Sequence, residues 1–517
     1  MTRCFLLLVD GLRLDVAEER LAAGDLPHLA AMLKHGGRTH AITGFPSTTS
    51  VAYLPFLTGC TPGHCNIPSI RWLDRAGYQG RWWRDRNAIR SYCGYQAFML
   101  DDDIRQDVRT IFELVPDSIG IFTPVARGLN PDRDPARRER KLWGSLAHVA
   151  MWHQPSDDSV SRHLLRAADG NSRFVFAQFP AVDGYTHQSG ANSAVVNRAL
   201  TRLDRTVGRL RRRLLSRGQL KDSLILVVSD HGASRVHTHM DLADWLRRQD
   251  IPTLAHPIVW ERDPRAAVMV AGNGSAMVYA RPGEPRSERW PLERLRLPET
   301  FGNGRDVISL LVRQPSVAFI AAESEAGGVW IESADGAARL KSSGGRITYQ
   351  PVSGDPLSLG GPWSATGREW LVRTWDDAFP DAAFHLLDQF RSERTGDLVV
   401  IGREGYDFRA RFELPEHRWG HGSLIRAHMQ TPVWSSQPIP PAPLRTVDLY
   451  PAMLEWLSVR VPDGIDAEPV WLPAERRTTR KSIRGESPPT RGRESSSQLN
   501  DRLAIGSTVA RSAISEE

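Results

Sequence analysis

Short apolar runs that end in aspartate or glycine recur along the chain and predict buried strands. The first, "RCFLLLVDG" (3–11), is followed by "LPHLAAMLKHGG" (26–37), whose apolar positions have a helical period and stop at a glycine pair. Further strand candidates lie at 172–184, 222–232 and 396–405. Strands that are apolar throughout are typical of parallel sheets covered by helices. The order of strands and helices predicts an α/β fold with a doubly wound, largely parallel sheet and helices on both faces.

A long amphipathic helix is predicted at 192–218, and it contains the basic run "RLRRRLLSR" (209–217). A net charge of +6 with abundant arginine raises the question of a nucleic-acid or acidic lipid partner. The basic residues alternate with leucines at helical spacing, which favours a solvated helix face over a binding surface. Basic and aromatic residues do not interleave as in proteins that stack bases, so we expect no nucleic-acid polymer as partner.

The pattern changes in the region 250–395, where short alternating segments are separated by Gly, Asp and Ser and predict hairpins. We therefore predict a catalytic α/β core at 1–249, a β-rich inserted or cap region at 250–395 and the rest of the core at 396–474. Residues 475–517 are rich in Arg, Ser, Thr and Glu and predict a disordered tail.

Composition favours a reducing, aqueous compartment. No apolar run reaches the roughly 18 residues of a membrane span, and the N-terminal run is too short for a signal peptide. Four cysteines in 517 residues do not form a disulfide framework, so a cytoplasmic protein without membrane association is expected. Cys60 and Cys65 flank His64, but no second Cys/His pair follows at zinc-site spacing, which favours packed thiols over a structural zinc.

Carboxylates and imidazoles follow the predicted strands at their carboxyl ends. In an open α/β sheet these ends meet at one edge, where binding groups gather. The residues expected there are Asp10, Asp183, His187, Asp230, His231 and, after a later loop, His421. Each alone is weak evidence, because an aspartate after a strand is often a helix cap. Together, mixed Asp and His ligands suit zinc, manganese or iron.

The hydroxyl-rich stretch "FPSTTSVAYLPFLTG" (45–59) allows two interpretations. Thr48, Thr49 and Ser50 are all suitable N-caps of a short helix. A helix N-terminus also directs free N–H groups at an anion, so a hydroxyl there is placed beside a bound phosphate. With a metal ion alongside, a threonine hydroxyl ionises more easily and can attack phosphorus.

These motifs, with "DGYTHQSG", "VVSDHG" and a late "GHGSL", resemble the alkaline phosphatase superfamily, in particular its type I phosphodiesterase and nucleotide pyrophosphatase branch. In that family the nucleophile lies ten positions before the glycine of a Thr-Gly pair, which implies Thr49 as nucleophile. The resemblance implies two divalent ions, zinc or alternatively manganese. It assigns one ion to Asp10, Thr49, Asp230 and His231, and the other to Asp183, His187 and His421.

The implied reaction is hydrolysis of a small phosphate ester, with a phosphodiester or pyrophosphate bond as the expected substrate, in two displacements through a covalent phosphothreonine. A sulfatase is disfavoured, because sulfatases need cysteine or serine where Thr49 stands. Many nucleotide pyrophosphatases have an asparagine three residues after the nucleophile, where this chain has Ala52. Contacts to substrate must then come from elsewhere, and the candidates are Arg71 and the N–H of Ser50.

His237 and His239, on one side of an extended segment, are further candidates either for substrate contact or for stabilising their loop. The alternatives for the whole protein are a phosphomonoesterase or phosphonate-type hydrolase on the same metals, and a catalytically silent binding protein. The complete set of site residues argues against the silent protein. The leaving group and the oligomeric state are not predicted by the sequence.

Overall fold

The first strand, Arg3–Val9, is buried along its whole length because both of its faces are covered. In this computed structural model, which describes residues 1–81, 83–257, 259–409, 417–469 and 471, its side chains alternate between two apolar cores. Cys4, Leu6 and Leu8 enter one core, while the residues between them enter the other. An apolar run without polar alternation therefore forms a central strand, as the sequence pattern predicts.

This strand lies within a seven-stranded mixed sheet. From one edge to the other the strands are Leu444–Arg445, Gly37–Ile42, Gln430–Ser435, Ser223–Val228, Arg3–Val9, Phe174–Phe179 and Ser118–Ile121. The last four are parallel to one another, whereas Gln430–Ser435 runs antiparallel to the strands on both of its sides. Helices cover both faces, so the predicted α/β fold with a largely parallel sheet is confirmed.

A second, nine-stranded sheet is antiparallel apart from one edge pair. Its strands are, in order, Thr253–Ala255, Ala266–Ala271, Ser275–Ala280, Leu398–Gly402, Val317–Glu323, Val329–Ser333, Gly336–Ser343, Arg346–Gly354 and Trp363–Thr366. The β-rich character predicted for 250–395 is therefore present. The expectation that 396–405 adds a strand to the first sheet is wrong, because Leu398–Gly402 pairs with two strands of the second sheet.

Short strand pairs connect the loops near the site: Arg71–Leu73 with Ile89–Ser91, Ser234–Arg235 with Trp419–Gly420, and Thr238–His239 with Tyr406–Asp407. The α-helices are Leu14–Ala22, Pro27–Leu33, Leu54–Thr58, Leu100–Asp103, Ile111–Leu114, Arg137–Ala150, Gln154–Asp169, Ala181–Ser189, Ala194–Ser216, Leu242–Arg247, Leu292–Leu295, Val307–Val312, Gly367–Arg373, Ala382–Gln389, Arg426–Met429 and Leu449–Trp456. Among the described helices, none has both the length and the apolar character needed to cross a membrane.

One apolar core is shared by the two sheets. It contains Leu6 and Leu226 from the first sheet and Met277, Tyr279 and Phe319 from the second. The opposite face of the second sheet has its own core of buried side chains. The domain boundaries remain a prediction, and the expected tail at 475–517 lies outside the described residues.

Candidate active site

Two aspartates lie side by side because their strands are parallel neighbours. Leu8 of the first strand is aligned with Val228 of Ser223–Val228, so Asp10 and Asp230 both follow at the same edge of the sheet. Both carboxylates are buried. The backbone N–H of Gly11 donates to Asp230 Oδ1 at 3.1 Å, which ties the two strand ends together.

The helix Ala181–Ser189 brings the next two predicted residues to the same place. Asp183 and His187 are four residues apart and therefore share a helix face, with His187 Nε2 3.2 Å from Asp183 Oδ2. Gly11 has a positive φ of 68°, and a Cβ atom at Gly11 would lie 2.6 Å from Asp183 Oδ1. A glycine at position 11 therefore allows Asp183 to approach the end of the first strand.

His231, which directly follows Asp230, and His421, which directly follows the short strand Trp419–Gly420, complete the cluster. Their rings stack with centroids 3.9 Å apart, and the His187 ring centroid lies 5.2 Å from that of His421. The Nδ1 atoms of His187, His231 and His421 each lie within 3.0 Å of a backbone carbonyl, of Trp419, Gly232 and Ser47 respectively. A carbonyl only accepts, so Nδ1 carries the proton and Nε2 is left to bind a metal ion, as in known metal sites.

The Thr49 hydroxyl points into this cluster. Its Oγ1 lies 3.2 Å from Asp10 Oδ1, to which it donates, and 3.3 Å from His231 Nε2. The alternative role as a helix cap is not realised, since the short helical turn Val51–Tyr53 has no side-chain cap and Ser50 has a φ of 74°. This left-handed backbone directly after Thr49 is a strained conformation of the kind found at functional sites.

Burial and neighbouring charges shift the pKa values of the site residues in different directions. Burial, together with the neighbouring carboxylate of Asp10, raises the pKa of Asp230 well above its ordinary value. Burial opposes ionisation of Asp183 too, but the charge of His187 holds the pKa of Asp183 well below its ordinary value. His231, buried between Asp230 and Asp10, has its pKa raised to about 10 because these carboxylates outweigh the effect of burial.

The donor set fits two cations. Asp183 Oδ1 and Asp230 Oδ2 are buried and accept no hydrogen bond within the described part of the chain, and His231 Nε2 lies 3.2 Å from Asp230 Oδ2. A buried carboxylate oxygen without a partner is costly, and a cation would satisfy it. Donor atoms of Asp183, His187 and His421 lie within 4.8 Å of one another, and so do those of Asp10, Asp183 and His231. Thus all seven residues that the sequence predicts lie at one site.

Two residues of the site were missed by sequence reasoning. Tyr53 and Gln178 both donate to Asp10 Oδ2, at 2.9 and 2.7 Å. Burial and the nearby carboxylate of Asp10 raise the pKa of Tyr53 well above its ordinary value, so the phenol remains a donor. The available signal was Gln178 itself, the one polar side chain in the buried strand "FVFAQF".

The predicted substrate contacts lie in different surroundings. Arg71 Nη1 donates to the carbonyl of Val270 at 3.2 Å. Val270 lies two residues before Gly272, and the carbonyl of Gly272 accepts a hydrogen bond from the N–H of His421. The Arg71 Nε atom is buried and has no partner among the described residues. His239 pairs through Nδ1 with Asp407 at 2.5 Å, which stabilises its loop, while His237 lies exposed beside Gly405.

A second group of ligand-type residues is Cys60, His64 and Asp466. Asp466 Oδ2 accepts from His64 Nδ1 at 2.9 Å and from both the backbone and the hydroxyl of Thr61. Asp466 Oδ1 accepts from Arg391 at 2.8 Å. These hydrogen bonds satisfy the carboxylate without a metal ion and hold the segment around Asp466 against the loop at 59–64.

Comparison with known proteins places the chain in the family that the sequence motifs resemble. A family model described as type I phosphodiesterase / nucleotide pyrophosphatase matches residues 4–424. No curated protein sequence matches the chain. Among solved structures, murine ectonucleotide pyrophosphatase / phosphodiesterase 5 has a TM-score of 0.54 at 12% identity, and the match covers 89% of this chain and 96% of that chain.

Two further solved structures are similar to a comparable degree. The human ectonucleotide pyrophosphatase / phosphodiesterase 5 has a TM-score of 0.54 at 11% identity, covering 90% of this chain and 97% of that chain. Phosphonoacetate hydrolase from Sinorhizobium meliloti has a TM-score of 0.53 at 14% identity, covering 88% of this chain and 96% of that chain. At such low identity these structures show a shared fold.

Proposed function

The chain belongs to the type I phosphodiesterase and nucleotide pyrophosphatase family, and we propose that it is a two-metal hydrolase of phosphodiester or pyrophosphate bonds that forms a covalent phosphothreonine on Thr49. The observation that supports this most directly is the position of Thr49 Oγ1, between Asp10 Oδ1 and His231 Nε2. A hydroxyl that served only as a helix cap would point to the backbone of its own turn.

The site residues divide into two sets of ligands. Asp10, Thr49, Asp230 and His231 would hold one ion, and Asp183, His187 and His421 the other. Two such ions would favour ionisation of the Thr49 hydroxyl and neutralise charge on the phosphoryl oxygens. Mixed carboxylate and imidazole donors suit zinc, with manganese as the alternative.

The reaction proceeds through two displacements at phosphorus, with Thr49 as nucleophile in the first and leaving group in the second. Thr49 loses its hydroxyl proton to water, and its oxygen attacks phosphorus in line with the leaving group. The new Oγ1–P bond forms as the P–O bond to the leaving group breaks, so Thr49 carries the phosphoryl group with its remaining substituent. Water then attacks phosphorus from the opposite side, and Thr49 leaves with a proton. The Nδ1–H bonds of the three histidines keep their Nε2 atoms in place throughout.

Arg71 is proposed to contact a phosphoryl oxygen of the substrate. Its guanidinium lies against Val270, near the segment that holds His421, and its Nε is available to donate. A guanidinium is suited to a charged phosphoryl oxygen. The N–H of Ser50, His237 and His239 remain further candidates for substrate contact, and for His239 the pairing with Asp407 makes loop stabilisation the better supported role.

Solved relatives suggest which substrates to compare. An inactive threonine-to-alanine variant of the murine protein was solved in complex with AMP. The hydrolase from S. meliloti was solved with phosphonoacetate. Nucleotide diesters, phosphomonoesters and phosphonates are therefore the classes to test, the last two representing the alternative functions on the same site.

The test is hydrolysis of an aryl phosphodiester beside the matching monoester and phosphonoacetate, with protein loaded with zinc or manganese. Thr49→Val removes only the hydroxyl, and Thr48→Val removes a neighbouring buried hydroxyl that has no partner among the described residues. We expect diester preference, loss of kcat by at least about a thousandfold in Thr49→Val, and little change in Thr48→Val. Mass spectrometry of acid-quenched protein should find the phosphoryl adduct on the peptide that contains Thr49.

Other outcomes would change the assignment. Monoester or phosphonoacetate preference would make the protein a phosphatase or a phosphonate hydrolase. Full activity in Thr49→Val would reject Thr49 as nucleophile. No turnover of any of these substrates by metal-loaded protein would favour a silent binding protein of this fold.

A further inference from the structure

The two oxygens of Asp10 have separate partners. Oδ1 faces the reaction side, 3.2 Å from Thr49 Oγ1 and 3.4 Å from His231 Nε2. Oδ2 accepts from Tyr53 and Gln178 at 2.9 and 2.7 Å. Two donors on one oxygen fix the rotation of a carboxylate about its Cβ–Cγ bond.

The two donors come from elements that surround the strand end. Tyr53 is fully buried and ends the turn Val51–Tyr53, four residues after Thr49, so its phenol ties the segment of the nucleophile to Asp10. Gln178 lies in Phe174–Phe179, where it is aligned with Leu8 of the neighbouring strand. A polar side chain in an otherwise apolar buried strand needs a partner, and Asp10 is that partner.

We propose that Tyr53 and Gln178 are positioning residues that hold Asp10 Oδ2, so that Asp10 offers only Oδ1 to a metal ion and keeps this oxygen beside the Thr49 hydroxyl. The inference rests on the proposed function, because it assigns Asp10 to a metal ion. Without the two donors the carboxylate can rotate and bind an ion through both oxygens. The ion then gains a ligand, and the hydrogen bond from Thr49 is lost.

The experiment uses the full chain, stripped of metal by chelator and titrated with Co²⁺, whose visible spectrum reports coordination number. The variants are Tyr53→Phe, Gln178→Met and the double variant. Two matched controls remove similar buried hydrogen bonds away from the site: Tyr279→Phe, which loses a bond to the carbonyl of Arg394 at 2.8 Å, and Gln389→Met, which loses one to the carbonyl of Pro68 at 2.9 Å.

We expect each site variant to bind Co²⁺ about 10- to 100-fold more weakly. Its visible absorption should fall in intensity, because a second carboxylate oxygen raises the coordination number above four. In the zinc enzyme kcat should fall while KM stays close to the wild-type value. The losses in the double variant should be less than additive, since both donors act on one carboxylate. The controls should show wild-type affinity and spectrum.

Co²⁺ affinities and spectra of the site variants that match those of the controls would overturn the inference. If wild-type protein binds Co²⁺ but hydrolyses no ester, the proposed function fails, and an altered spectrum in Tyr53→Phe still supports the positioning role. If wild-type protein hydrolyses esters and Tyr53→Phe behaves like Tyr279→Phe, only the positioning role fails. Wild-type protein that binds no Co²⁺ overturns both.

Discussion

Asp157 is a buried acid directly behind the helix that carries Asp183 and His187. It belongs to Gln154–Asp169, and its Oδ1 accepts the N–H of Ala181 in the first turn of that helix, at 3.1 Å. Burial raises the pKa of Asp157 from its ordinary 3.8 to about 8. At neutral pH the side chain is therefore ionised in the unfolded chain and protonated in the folded chain. Folding must take up one proton at this position.

This proton gives the stability a predictable pH dependence. Between the ordinary pKa and the raised pKa the folded chain binds more protons, so the free energy of unfolding falls as pH rises. Each pH unit in this window corresponds to about 1.4 kcal/mol. Relative to a side chain that is neutral in both states, Asp157 lowers the free energy of unfolding by roughly 4 kcal/mol at neutral pH. Asp157→Asn is such a side chain, and its oxygen can still accept the N–H of Ala181.

The measurement is urea unfolding of wild type, Asp157→Asn and Asp158→Asn from about pH 5 to about pH 8, with chelator present throughout. Asp158 is an exposed neighbour and serves as the matched control. The advantage of Asp157→Asn over wild type should grow by about 1.4 kcal/mol for each pH unit, whereas Asp158→Asn should run parallel to wild type. A constant difference between Asp157→Asn and wild type over this range would show that folding does not raise the pKa of Asp157.

Three further outcomes are expected. Gly11→Ala should lower the free energy of unfolding by about 1–2 kcal/mol because of its left-handed backbone, and it should bind metal more weakly because the new methyl group contacts Asp183. Gly24, with a φ of 79° and open space around it, is the control, and Gly24→Ala should show the loss of stability alone. Equal metal affinity in the two variants would contradict this. Chelator should lower the midpoint of thermal unfolding, because Asp183 and Asp230 lose their cations, and zinc should restore it; an unchanged midpoint would argue against a metal site. Burial, aided by the charge of Arg445, lowers the pKa of His385 to about 3, so the free energy of unfolding should decrease as pH falls below about 6.5. His385→Leu should abolish this acid sensitivity in denaturant titrations. An equal acid sensitivity in both proteins would exclude His385 as its source.

The spacing of apolar residues within short segments of the sequence predicted many of the strands and helices. The strand at Ser223–Val228 and the helix Ala194–Ser216 are where the apolar period places them. Leu398–Gly402 is also a strand, but its sheet was predicted wrongly. A strand buried on both faces has the same sequence pattern in either sheet, and the partners of Leu398–Gly402 lie about 80 and about 120 residues earlier in the chain.

The site was predictable to the extent that it lies at strand ends. Asp10 and Asp230 meet because their strands are parallel and in register, and the sequence pattern predicts such strand ends. Tyr53 and Gln178 were missed because neither follows a strand. In the sequence, Tyr53 has the spacing of an apolar residue in a helix. Its hydroxyl reaches Asp10 only because three segments pack together in the folded chain.

The position of Leu398–Gly402 in the middle of the second sheet has a consequence for biosynthesis. Its neighbours, Ser275–Ala280 and Val317–Glu323, remain unpaired on one edge until about 400 residues have been made, and the first sheet waits still longer for Gln430–Ser435. From Ser275–Ala280 to Leu398–Gly402 the ribosome adds about 120 residues, so this apolar strand edge stays exposed for roughly 6–24 s. Chaperone binding to the nascent chain should therefore persist until these strands emerge. Asp10 is translated near the start of synthesis and His421 only after Leu398–Gly402, so the candidate site is complete only in the last stage of synthesis.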